Sequence, residues 1–171
     1  MLYAPPERPI AEGLSPAVEF QVRDARITDL DRITTLLEMS SSVDGVPDQL
    51  SDGATDLLRQ MVYLPHAAVL VADASRRIVG MAVLALHPSI RRGGLVGTID
   101  LLVVERGPQD LAVSDALVAE AIRSARKKGC VAIEAPAPED PMEQDRWEEQ
   151  GFISTGPRVE RELSRARVVY S

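Results

Sequence analysis

The run "TIDLLVVERGPQDLAVSDALV", from Thr98 to Val118, holds the residues whose types and spacing could do chemistry. Asp100 is a lone carboxylate in an apolar stretch, a placement that needs a reason. An exposed face, or a pairing with Arg91 or Arg92, would supply one. After Val104 a polar loop opens into a long helix. Loop amides and the helix dipole both favour an anion at such a junction, and glycine usually lets the backbone come close to it. Here Gly107 is followed by Gln109, Asp110, Leu111, Ala112, Val113, Ser114 and Asp115. Ala and Ser are the smallest replacements for glycine that carry a side chain. The amides of Leu111 to Ser114 can therefore still face an anion if φ is negative there, and Ser114 adds a hydroxyl. Asp110 and Asp115 oppose that reading, because like charge weakens anion binding unless the side chains turn away. The other reading is an ordinary turn with Asp110 or Ser114 as the helix cap.

The elements that must position these residues follow from periodicity. "VEFQVRDA" alternates Val18, Phe20 and Val22 against Glu19, Gln21 and Arg23, as a half-buried strand does. "ITDLDRITTLLEMS" sets Thr28 as a cap with Asp31 three residues on, and Leu30, Ile33, Leu36 and Leu37 form one helical stripe. The loop "SVDGVPDQ" leads to a second helix over about Leu50 to Tyr63, closed by Pro65. Two strands joined by a turn at Asp73 to Arg77 come next, then "RRGG" and a long strand from Leu95 to Val104. The following helix, about Ala112 to Lys128, stripes Leu117, Val118, Ala121, Ile122 and Ala125 and ends in two lysines and Gly129. A strand at "CVAIEA", a short helix at Met142 to Gln150, and strand material at "GFIS" and "RVERELS" complete the order. Antiparallel meanders with one parallel crossover make an α/β domain. Its expected ligand site is the turn after Val104.

Composition narrows the function classes. The length of 171 residues suits one domain, expected over 18–165 between a Pro-rich arm at 1–17 and a tail at 166–171. A net charge of -7 argues against a nucleic-acid partner, which needs a basic face, and suits a cationic one. Cys130 is the sole cysteine, which excludes an internal disulfide and reads as a small buried hydrophobe. With only His66 and His87 besides, no metal is expected. No stretch reaches the roughly 18 apolar residues of a membrane span. The opening "MLYAPPERPIAEGLSP" has Pro and Glu where a signal peptide needs a basic start and an apolar run, so a cytoplasmic location is expected.

On these residues and spacings the chain resembles the GNAT superfamily of N-acetyltransferases over roughly residues 18 to 164. The family's motif A, V-x-P-x-x-[RQ]-x-x-G-x-[GA] with two aliphatics beyond, matches "VERGPQDLAVSDALV" from Val104 to Val118 without insertion. Gln109 takes the leading Arg/Gln place; Ala112 and Ser114 replace the glycines and Arg106 the proline. "WEEQGF" resembles the "YE-x-x-GF" ending of motif B, with Trp147 where relatives often carry Tyr.

The resemblance implies an α/β fold with a mixed, mostly antiparallel central sheet and helices on both faces. It implies acetyl-CoA as acetyl donor, no metal, and an amine of a small molecule or a protein as acceptor. The turn from Gln109 through Asp110, Leu111, Ala112, Val113 and Ser114 to Asp115 would hold the pyrophosphate. The N–H of Val103 or Val104 would hold the thioester carbonyl and the pantetheine arm. Asp100, where relatives often carry Glu, would take the amine proton through water. An indole cannot deliver a proton, so Trp147 removes the usual donor to the leaving thiolate. The alternative is a GNAT-like module that binds CoA, another ligand or a partner protein without turnover. Oligomeric state is left open, a homodimer included.

Overall fold

The computed structural model describes residues 18–40, 52–156 and 161. The expected arm at 1–17, the loop at 42–49, the last strand at 158–164 and the tail at 166–171 lie outside them, Arg161 excepted. The chain divides into two compact units after Pro136.

The first unit holds a five-stranded sheet in the order β1 (Gln21–Asp24), β2 (Ala67–Asp73), β3 (Ile78–Ser89), β4 (Gly94–Val104) and β5 (Ala132–Glu134). Neighbours pair antiparallel except β4 and β5, which run parallel. The apolar runs "AAVLVA" and "IVGMAVLAL" are buried almost throughout, as strands covered on both faces are. On one face α1 (Leu30–Ser40) and α2 (Asp52–Met61) contribute Leu30, Ile33, Leu36, Leu37 and Leu58 to a core with Val69, Val71, Met81, Val83 and Val103. On the other lies α3 (Asp110–Lys127), whose Val113, Leu117, Val118, Ala121 and Ala125 are buried. The α/β sheet with helices on both faces is therefore as the sequence implies.

Several boundaries differ for physical reasons. β1 starts at Gln21 rather than Val18, because Gln21 pairs with Asp73, the last residue of β2, and Val18 to Phe20 run past its end. Val18 is accordingly 44% exposed. α1 is entered through a 3-10 turn, Ile27–Asp29, and Thr28 is not its cap. Asp29 accepts the Arg26 N–H at 2.7 Å instead. "GFIS", at 151–154, forms no strand, because Gly151 with φ +92° ends the preceding helix and the chain continues without a ladder. α3 ends as its lysines and Gly129 predict. The Gly129 N–H donates to Arg126 O and the Cys130 N–H to Ala125 O, with Gly129 at φ +83°, which is the Schellman pattern.

One buried carboxylate ties four segments together. Asp29, 1% exposed, accepts from Arg23 at 2.7 and 3.0 Å and pairs with Arg32. Arg23 also donates to Asp73 at 2.8 Å, and Asp73 accepts the Ser75 N–H in the turn between β2 and β3. Hydrogen bonds from Arg23, the Arg26 amide and Arg32 outweigh burial and hold the Asp29 carboxyl well below the usual carboxylate range. The same pairing raises the Arg23 guanidinium.

Removing Asp29 leaves Arg23 without its main partner, so Asp29→Ala is expected to lower stability by about 3 to 5 kcal/mol in urea denaturation. A folded-state pKa depressed below the unfolded one contributes stability above about pH 4 that is lost as pH falls through lower values. Asp29→Asn should therefore flatten the acid side of the stability profile, and an unchanged acid slope would refute the assignment.

Candidate active site

β4 carries the candidate site residues of the first unit, and its register places them. Val83 pairs with Leu101 but Leu84 pairs with Ile99, so Asp100 is an extra residue with no partner across the ladder. Such a bulge bends the strand and re-aims side chains. Before it, Gly97 faces α3, because a Cβ there would lie 3.4 Å from Ala125 Cβ. After it, Leu101 and Val103 face the opposite core, with α1 and α2. Ile99, the pair of Leu84 on the α3 side, is 2% exposed, whereas Asp100 is exposed. Alternation from Thr98 and Ile99 thus puts Asp100 on the face away from α3. Neither Arg91 nor Arg92 holds it; Arg92 reaches Glu134 instead, at 3.9 Å.

The opposite edge of β4 opens beyond Thr98. β5 pairs only with Val96, Gly97 and Thr98, and no strand among the described residues continues that ladder. The Glu105 N–H donates to Val79 O at 2.8 Å, so alternation turns the Val103 N–H toward β3. The N–H groups of Leu102 and Val104 face the open side. Of the two valines expected to serve, Val104 is the one whose amide faces the open side. Leu102 was not anticipated, because the parity of a ladder follows from its register rather than from side-chain pattern.

At the C-terminal end of β4 the loop enters α3 at Asp110, two residues earlier than periodicity predicts. Gln109 is the cap residue and makes no side-chain capping bond. Ala112 and Ser114 therefore lie inside the first turns. Among the described residues only Ser75 has positive φ without being glycine, so the loop needs no glycine for its backbone. Asp110 turns its carboxylate onto the helix end and accepts the Leu111 N–H at 2.7 Å. The Val113 N–H donates to Gln109 O. Ala112 is exposed, and with Gln109, Val18, Glu19 and Phe20 it lines an open groove of about 530 Å³. Asp115 is half-buried one turn on. Beside the loop, Arg77 neutralises Glu105 at 3.2 Å.

Glycine matters beneath the helix. A Cβ at Gly80 would stand 2.7 Å from Val113 Cγ1 and 2.9 Å from Leu117 Cδ1, so Gly80 sets how closely the first turns of α3 sit on β3.

The second unit holds α4 (Pro141–Glu149), capped by Asp140, which accepts the Met142 N–H at 2.9 Å. Its end explains "WEEQGF". The Phe152 N–H donates to Trp147 O, the Gly151 N–H to Glu148 O, and the two rings lie 4.8 Å apart. That is a Schellman end with its hydrophobic contact, and Trp147 is the packing half of it.

The chain matches the model of the acetyltransferase (GNAT) domain over residues 43–166. The protein belongs to the GNAT acetyltransferase family. Solved structures share the fold. A Trypanosoma brucei acetyltransferase aligns with a TM-score of 0.68 at 24% identity, covering 85% of this chain and 100% of its own. Glucosamine-6-phosphate N-acetyltransferase from Arabidopsis thaliana gives 0.66 at 17%, covering 85% and 99%. An aminoglycoside acetyltransferase from an uncultured soil metagenomic sample gives 0.69 at 16%, covering 85% and 96%. No curated protein matches the sequence. No helix among the described residues is long and apolar enough to cross a membrane, and none of their side chains cluster as a metal site.

Because Gly80 bears on both packing and the loop, Gly80→Ala should lower stability by about 1 to 3 kcal/mol, the usual effect of overpacking. It should also shift the first turn of α3. Thermal unfolding paired with CoA titration checks this, and a variant with wild-type values in both would show that α3 tolerates the extra atom.

Proposed function

We propose that this GNAT-family protein transfers an acetyl group from acetyl-CoA to the amine of a small cationic molecule or a protein. The observation that supports the reading is the edge of β4, where two N–H groups point outward beyond the last β5 pair, next to a bulged carboxylate. The residues fit the donor. Leu102 and Val104 offer amides to a carbonyl and a pantetheine arm, the turn from Gln109 to Asp115 offers a helix N-terminus to a pyrophosphate, and the groove beside Ala112 leaves room. Bound acetyl-CoA supplies an activated acetyl: a protonated amine and the thioester give an amide, the free CoA thiol and one proton to solvent. In this reading the Val104 amide, fixed by the β3 ladder, steadies the carbonyl oxygen as it gains charge. Asp100 sits where it can attract the ammonium and accept its proton through water. Trp147 cannot protonate the thiolate, so that proton comes from water or from the acceptor.

One observation favours the second reading, a CoA-binding or partner-binding module without turnover. The Asp110 carboxylate already occupies the helix end where a pyrophosphate would sit. In the catalytic reading this carboxylate must rotate away, which makes binding weaker than the fold allows.

A steady-state assay of CoA release across a panel of amines separates the two, since a module shows no amine-dependent release. Asp100→Asn should lower kcat by about 10²- to 10⁴-fold while CoA affinity stays within error. A fall of less than about threefold with a good amine would make Asp100 structural. Calorimetric titration of CoA tests the loop. Asp110→Asn and Asp115→Asn should each tighten binding by about 0.3 to 1 kcal/mol, less as salt rises, and Ala112→Val should weaken it. If wild type binds no CoA and neither Asn variant restores binding, the turn is only a helix start.

A further inference from the structure

Glu134 is the last residue of β5 and the direct partner of Thr98, at the point where β4 and β5 part. Paired residues of neighbouring strands point to the same face, so Glu134 shares the face of Thr98, away from α3. Asp100 lies two residues beyond Thr98 on that same face. The two carboxylates are therefore diagonal neighbours where β4 and β5 part, the two residues roughly 7 to 8 Å apart by sheet geometry. The Glu134 side chain is 38% exposed, and its one ion pair among the described residues, with Arg92, spans 3.9 Å between partly exposed groups. Such a pair is weak and easily exchanged.

We propose that Glu134 selects the acceptor, a linear diamine whose reacting nitrogen lies at Asp100 while its distal ammonium displaces Arg92 and pairs with Glu134. This rests on the acetyltransferase reading above and adds the substrate class to it. Butane-1,4-diamine, with nitrogens about 6 Å apart when extended by ordinary bond lengths, spans the two carboxylates. Butylamine has the reacting nitrogen and lacks the distal charge. Glu134 makes no contact with the reacting atoms, so its effect falls on affinity and chain length rather than on turnover.

The test compares ethane-, butane- and hexane-diamines with butylamine in the CoA-release assay, and titrates butane-1,4-diamine into the protein by calorimetry without donor. Glu134→Gln should raise KM for butane-1,4-diamine about tenfold, weaken the calorimetric affinity to match, and leave kcat and the butylamine KM unchanged. Glu134→Asp, which keeps the charge on a shorter arm, should move the preference toward the longer diamine. Equal effects of Glu134→Gln on diamine and monoamine, or no effect on either, would overturn the assignment while the acetyltransferase reading stands. If no amine releases CoA, both fall together.

Discussion

Beyond Thr98, β4 is held on one side only among the described residues, and the candidate site depends on that constraint. A strand in the middle of a sheet has its amides and carbonyls satisfied on both edges. β4 keeps the β3 ladder along its length but loses β5 after three pairs, so among the described residues its later outward amides have no ladder partner. The bulge at Asp100 falls just where the strand becomes one-sided. It turns Leu101 and Val103 into the core with α1 and α2, which anchors the open half of β4 by burial where the second ladder is missing. Packing on that face thus substitutes for pairing at the edge.

Such a strand must be braced from the β1 side, and the Asp29 cluster does this. β1 is only four residues long and, among the described residues, pairs with β2 alone. Without the arginine contacts it would be a short, weakly held edge strand, and the turn into α1 would lack its anchor. Because Asp29 binds β1, the Arg26 amide, α1 and, through Arg23, the end of β2, the position of α1 over the sheet is coupled to the register of β2. α1 in turn packs against Met81, Val83 and Val103, so this polar cluster and the open strand share one face.

The fold was largely legible because burial leaves a period. The α1 and α3 stripes, the apolar β2 and β3 runs and the Gly129 end each carry their structure in residue type. What was not legible depends on register. The bulge makes Asp100 unpaired, yet "TIDLLVV" reads as an unbroken strand, since nothing in the residues marks where the ladder steps. The same holds for which amide, Val103 or Val104, faces the open side. Asp29 was missed because periodicity ranks Thr28 as the better cap, and only three converging donors make a buried carboxylate the better choice. Glu134 did carry a local signal, a lone carboxylate in the apolar "CVAIEA", of the same kind that marks Asp100. Its meaning needed the partner strand.

The departure from motif A is explained by where close approach is needed. Glycines in such a loop serve to bring backbone up to an anion. Here α3 begins early enough that Ala112 and Ser114 adopt ordinary helical conformation, and small side chains suffice at an exposed first turn. The tight contact lies on the other side of the helix, where Gly80 and Gly97 admit Val113, Leu117 and Ala125 against the sheet. The helix N-terminus is thus positioned from below by glycine in the strands, and Asp110 rather than loop sterics governs access to its amides. A carboxylate that swings away costs far less than a backbone that must refold. Loss of the motif's glycines is therefore compatible with an anion site, and charge in the first turn is the larger obstacle.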